Sequence, residues 1–161
     1  MLITDLLCPQ CIELHGRSGT KTEVIGHLID LVMKSGRISD RKAFEKTVFQ
    51  REREISTGIG DGIGIPHGIC SGVNTLVLSA MVIPGGTDFE AIDHQPVDLL
   101  FMIVIPSQKR DMYLHFLSRI SKYLLEEKFT RALRRARTAE EFIRIFRREI
   151  PARQFKFENV S

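Results

Sequence analysis

The sequence predicts a layered α/β or α+β domain. Amphipathic segments with helical spacing come first, two short apolar runs rich in β-formers follow, and helical spacing then returns. Helices that precede, separate and follow strands imply a sheet with helices packed on it. At 161 residues the chain suits one domain, residues 1–150, with a short C-terminal tail, residues 151–161.

The elements follow in order. "TKTEVIGHLIDLVMKSG" reads as a helix: Thr20 and Glu23 have capping-box spacing, Val24, Leu28, Leu31 and Val32 make an apolar stripe, and Gly36 stands where a helix ends. "SDRKAFEKTVFQRE" reads as a second helix, with Ser39 as N-cap and Phe44 and Val48 inward. "TLVLSAMVIP" and "PVDLLFMIVIP" read as buried strands ended by prolines. "QKRDMYLHFLSRISKYLLEE" returns to helical spacing through Leu114, Leu117, Ile120 and Leu124. "TAEEFIRIFRRE" is a last short helix, with Thr138 and Glu141 spaced as a capping box.

Composition narrows the classes of function. No apolar run approaches the length of a membrane span. The start "MLITDLLCPQC" lacks the basic and long apolar segments of a signal peptide. Three cysteines without such a signal fit a reducing compartment, and a cytoplasmic protein is expected. The net charge is only +3, but Lys128 to Arg153 holds nine basic residues against three acidic ones.

The most unusual stretch is "STGIGDGIGIPHG", Ser56 to Gly68, with five glycines and a proline around His67. A Walker loop would end in Gly-Lys-Ser/Thr, and none is present. The dinucleotide fingerprint fails as well, because Gly58, Gly60, Gly62 and Gly64 alternate and the third required position falls on an isoleucine. No nucleophile elbow exists, and no cofactor is expected. Ile59, Ile63 and Ile65 alternate with residues of little bulk, so one face is anchored inward and the other is bare. Pro66 stiffens the backbone before His67. An exposed, stiffly held imidazole is a good nucleophile near neutral pH, toward a group carried by another macromolecule. A structural histidine in a tight turn fits the residue types as well.

The chain resembles enzyme IIA of the fructose/mannitol type (type 2) of the bacterial phosphoenolpyruvate-dependent phosphotransferase system, including its nitrogen-regulatory branch. The resemblance rests on "REREISTGIGDGIGIPHG", Arg51 to Gly68, on "DFEAIDHQPVDLLFMIVIP", Asp88 to Pro106, and on "SGRISDRKAFEKTVFQRE". It runs from "ITDLL" to roughly Arg148 and implies a mixed, mainly parallel sheet flanked by helices. It further implies that His67 takes a phosphoryl group from the histidine-containing phosphocarrier protein HPr. His67 would pass it to a cysteine of an enzyme IIB or hold it as a regulatory mark. Arg51 falls on the family's active-site arginine, although the residue types alone also fit a solvated helix-end arginine. Ser56, Thr57 and the Gly58 backbone are candidate further hydrogen-bond donors to the phosphoryl oxygens, and the glycines are expected to be clearance for a docking protein.

One departure concerns the family's second active-site histidine, in the pattern His-Leu-x-x-Leu. Here Tyr113 holds the histidine position, and His115 lies two residues on. Two residues turn about 200° around a helix, so His115 points elsewhere. His94, in "DHQPV", replaces a more usual glycine and reads as an exposed loop residue.

Three alternatives stand beside this reading. Cys8-x-x-Cys11 and His67-x-x-Cys70 supply ligand types for zinc, although no metal is expected. Arg134, Arg137, Arg144 and Arg148 suggest a nucleic-acid surface, but no stacking aromatics interleave with them, so a solvated face is expected instead. A non-catalytic regulatory interaction domain is the third.

Overall fold

The computed structural model describes residues 6–108 and 110–150; the expected tail, 151–161, lies outside the described residues. A 3-10 turn, Pro9–Cys11, leads into β1 (Ile12–Glu13). Two helices follow, α1 (Lys21–Met33) and α2 (Arg41–Glu54). Then come β2 (Gly58–Gly60), β3 (Ile63–Gly64), β4 (His67–Cys70), β5 (Val77–Thr87) and β6 (Val97–Pro106). The chain closes with α3 (Arg110–Leu124), α4 (Glu127–Arg135) and α5 (Ala139–Glu149).

The six strands make one mixed sheet in the order β1-β5-β6-β3-β2, with β4 also paired to β6. The pairs β1–β5, β3–β6 and β4–β6 are parallel, while β5–β6 and β2–β3 are antiparallel. β3 and β4 therefore lie one after the other along the same edge of β6.

Alternation along β6 divides the core. Leu99, Phe101, Ile103 and Ile105 enter one cluster with Phe116, Phe142 and Phe146. Leu100, Met102 and Val104 enter the other with Leu28, Phe44 and Val48. A two-residue period thus serves two apolar layers, which is why the run looks uniformly hydrophobic. Ser79, fully buried on β5, donates its hydroxyl to the Leu28 carbonyl of α1 over 2.9 Å.

Several local expectations hold. Thr20 and Glu23 form a complete capping box. Gly36 takes a positive φ of 71° just beyond α1, where a β-carbon would be strained. Others change. Asp40, not Ser39, caps α2, accepting from the Ala43 N–H at 3.0 Å. Thr138 accepts from Glu141 N–H, but the Glu141 carboxylate takes the Arg137 N–H instead of closing the box. β5 does not stop at Pro84 but continues to Thr87. Its register slips between Val82 and Thr87, so Pro84 sits at an irregularity that needs no N–H. α4 is an element the apolar spacing did not reveal. On α3 the inward face is Tyr113, Phe116, Ile120 and Leu124, whereas Leu114 is 40% exposed.

Candidate active site

His67 opens β4, directly after Pro66. The Pro66 carbonyl accepts from Ile103 N–H at 3.0 Å, and His67 stands opposite Ile103 in the β4–β6 register. The imidazole is held between sheet and helix rather than presented on an open surface. It is 8% exposed, which corrects the expectation of an exposed ring.

Its Nδ1 lies 3.0 Å from the Ile65 carbonyl oxygen. A carbonyl only accepts, so Nδ1 carries the proton and Nε2 is the bare nitrogen of the neutral ring. Burial lowers the imidazole below its ordinary 6.5; the Ile65 bond opposes that shift, and the Arg51 charge adds to it. The ring is therefore neutral near pH 7, with the tautomer of a nucleophile at Nε2.

His67 lines a cavity of about 440 Å³ with Thr47, Gln50, Arg51, Glu54, Gly68, Ile69, Ile105, Arg110 and Leu114. Gly68 explains how α2 comes so near. A Cβ there would lie 2.5 Å from Thr47 Oγ1 and 2.7 Å from Val48 Cγ2, so only glycine lets α2 cross β4 at this distance. Thr47 adds a hydroxyl bond to the Ile69 carbonyl at 2.9 Å. One turn later on α2 comes Arg51, whose Nη1 donates to the Ile55 carbonyl at 2.8 Å.

Ser56, Thr57 and Gly58 are placed otherwise. None of them lines the His67 cavity. Thr57 is buried and donates its N–H and its hydroxyl to the two Glu52 carboxylate oxygens, at 2.9 and 2.6 Å. Lys21 pairs with the same carboxylate at 2.7 Å. Ser56 Oγ accepts from Gly58 N–H and from Lys21 Nζ. These groups brace the entry to the glycine run.

The glycines also have a different reason from clearance for a partner. Gly58 is buried against the Ala91 backbone, where a Cβ would meet Cα at 2.7 Å. Asp61 and Gly62, at φ 55° and 79°, make the two-residue loop between β2 and β3, the turn type that Asp-Gly favours. Ile63 and Ile65 are anchored in the core, with Ile59 packed against it, as the alternation predicted.

Tyr113 does not line the cavity. It is 4% exposed within the core cluster shared with Phe116, and burial raises its phenol above the ordinary 10. His115 is exposed and also outside the cavity lining. α3 instead contributes Arg110 and Leu114, four residues apart on one face. The sequence signal for Arg110 is its place one turn ahead of Leu114, on the same face of α3. His94 is exposed in a turn at φ 58°, as expected of a loop residue. The described residues bring together no three metal-ligating side chains, so the Cys8, Cys11, His67, Cys70 set is not assembled. Among them, no helix is long and apolar enough to cross a membrane.

The chain is 34% identical over 145 residues to the fructose-specific EIIABC component of Bacillus subtilis, covering 90% of itself but only 23% of that protein. It is 37% identical over 130 residues to the fructose-specific EIIA component of Haloferax volcanii, covering 79% of itself and 84% of that relative. The crystal structure of the nitrogen regulatory protein IIA-Ntr from Neisseria meningitidis superposes with a TM-score of 0.81 at 26% identity, over 89% of this chain and 97% of that one. Residues 5–149 match the model of the phosphoenolpyruvate-dependent sugar phosphotransferase system EIIA 2 family. The chain, with its mixed sheet, its flanking helices and a histidine at the head of β4, belongs to that family.

Proposed function

We propose that this protein is a phosphohistidine carrier. It accepts a phosphoryl group from an HPr-like donor at His67 Nε2 and delivers it to a cysteine of an enzyme IIB or keeps it as a regulatory mark. The observation that carries this reading is the Nδ1 contact with the Ile65 carbonyl, 3.0 Å, which leaves Nε2 as the reactive nitrogen. In the step, Nε2 bonds to phosphorus while the donor's P–N bond breaks and the donor imidazole leaves. The new phosphoimidazole keeps its proton on Nδ1, which still donates to the Ile65 carbonyl, and the carbonyl dipole stabilises the positive ring. Little covalent chemistry falls to the protein; positioning and charge do the rest. Arg51 suits the second task, because its planar fork matches two equatorial phosphate oxygens. Relatives of both the fructose-specific and the nitrogen-regulatory kind fit either destination of the phosphoryl group.

The test supplies phosphoenolpyruvate, enzyme I and HPr and follows intact mass. One acid-labile phosphoryl group should appear and vanish in His67→Ala. NMR of the phosphorylated protein should place it on Nε2. Label that persists in His67→Ala, or that sits on Nδ1, defeats the reading. Addition of an enzyme IIB then tells transfer from retention.

A further inference from the structure

The N-terminal turn carries two thiols that phosphoryl transfer leaves unused. Cys8-Pro9-Gln10-Cys11 is a single 3-10 turn with Cys8 as its N-cap and Pro9 at its first position. The Cys11 N–H donates to the Cys8 carbonyl at 3.0 Å. Cys8 itself is extended, at φ −90° and ψ 153°, and the 3-10 turn that follows folds Cys11 back toward it. Such a turn keeps its outer Cα atoms within about 7 Å, a span that overlaps the ~4.4–6.8 Å of a disulfide. Cys8 is half-buried and Cys11 fully buried.

We propose that Cys8 and Cys11 form a reversible dithiol–disulfide pair, a redox modification site separate from His67. The Cys8 thiolate attacks one sulfur of a low-molecular-weight disulfide such as oxidised glutathione. That S–S bond breaks, one thiolate leaves, and Cys8 carries a mixed disulfide. Cys11 then gives its proton to the departing thiolate and attacks the Cys8 sulfur, releasing the second thiol. The pair loses two electrons and two protons, and the reagent becomes two thiols. Burial, with Cys8 beside it, pushes the Cys11 thiol up to about 12. Cys8 is therefore the entry point and closure by Cys11 the slower step. Cys70 takes no part: it is buried in the core cluster under α1 and α2, and its Sγ donates to the Ser71 carbonyl.

The turn packs against α1, α5 and β5 and leads into β1, the edge strand, with β5 and β6 between it and β4. The bridge lies within one turn, so it forms without rearranging the sheet.

The test incubates the full chain with oxidised glutathione, quenches in acid and digests with trypsin. No Lys or Arg precedes Arg17, so Cys8 and Cys11 share one peptide, while Cys70 falls in another. That first peptide should lose two hydrogen masses, resist iodoacetamide, and recover both properties in dithiothreitol. Cys8→Ser, a small change at a half-buried site, should keep the far-ultraviolet spectrum and abolish the product. A glutathione adduct that persists on Cys8, a disulfide-linked dimer, or an unreacted peptide after the reagent has oxidised a control dithiol would each overturn the proposal.

Discussion

Arg51 and Arg134 both stand in the last turn of a helix; Arg134 reaches the turn in the middle of the glycine-rich segment, and Arg51 borders the cavity at its end, beside His67 and Gly68. Arg134 is tied on three sides. Its Nε donates to Asp98 Oδ1 at 2.9 Å, its Nη2 to the Asp61 carbonyl at 2.8 Å, and its Nη1 to Thr130 Oγ1 at 3.3 Å. It thereby pins the Asp61-Gly62 turn to β6 and α4. Arg51 has one protein acceptor among the described residues, the Ile55 carbonyl, and otherwise borders the His67 cavity. The same side chain thus braces the fold in one place and borders an open cavity in the other. The difference lies in the acceptors: Asp61 and Asp98 come to Arg134 from distant parts of the chain, whereas Arg51 finds, among the described residues, only Ile55 in the next turn.

The sharpest way to break this contrast is Arg51→Ala. Loss of a positioned charge donor to a transferring phosphoryl group costs about 100- to 10,000-fold in rate. We expect a loss of that order in phosphoryl acceptance from HPr, with the thermal midpoint almost unchanged. Stopped-flow transfer assays and thermal melts read the two quantities separately. A large fall in midpoint with normal transfer by the folded fraction would give Arg51 the part assigned to Arg134.

Arg134→Ala should do the reverse. It removes a charge-assisted bond to Asp98 and leaves the Asp61 carbonyl without its guanidinium donor, at a partly exposed site. About 1–2 kcal/mol of stability should go. Denaturant titration measures that loss, and transfer per folded molecule should match the parent. Unchanged stability would show that the turn holds itself through its Asp-Gly conformation alone.

This pair also marks how far the sequence is legible. The α1 capping box, the two long strands and the inward isoleucines follow local rules, and local rules survive in the fold. The resemblance points to His67 and Arg51 because their segment is continuous, and both border one cavity. The reasons for the glycines were not readable, because Gly58 answers to Ala91 and Gly68 to Thr47 and Val48, all outside the run. The basic C-terminal segment hid Arg134's partners, Asp61 and Asp98, for the same reason. Tyr113 was placed by its pattern, yet helix rotation buries it and turns Arg110 and Leu114 toward the cavity. A pattern fixes a position along a helix; packing on the sheet fixes its rotation.

Arg110 sharpens the comparison from the other side of the cavity. Tyr113 stays neutral near pH 7, since burial only raises its phenol, so it brings no charge in place of a histidine. Arg110 is the cation that α3 contributes to the cavity lining, although it is exposed and stands at the rim. An exposed charge–phosphate contact is worth about 1 kcal/mol, or about fivefold in rate. Arg110→Ala should slow acceptance by that factor, Arg110→Lys should recover most of it, and added salt should shrink the difference. Equal rates for all three proteins at low salt would leave Arg51 as the sole cation acting on the phosphoryl group.

The smallest effect expected is the pH response of His67. Burial lowers its imidazole below the ordinary 6.5. As pH falls through 6.5, the unfolded chain takes up a proton on this histidine while the folded chain does not. The unfolded state then binds more protons, so stability rises with pH across the window between the lowered value and 6.5. Above 6.5 the contribution is complete; below the lowered value both states are protonated and the loss is at its full extent. The same shift keeps Nε2 unprotonated in moderately acid solution, so acceptance should persist below the pH at which an ordinary histidine would lose half its rate. Other groups titrate in this range, and the difference between the parent and His67→Gln isolates one residue. Denaturant titrations from pH 5 to 8 should show a steeper acid loss in the parent, by no more than a single proton. The opposite slope would mean that the ring is held as the cation, with Nε2 protonated and unable to accept phosphate until it releases that proton.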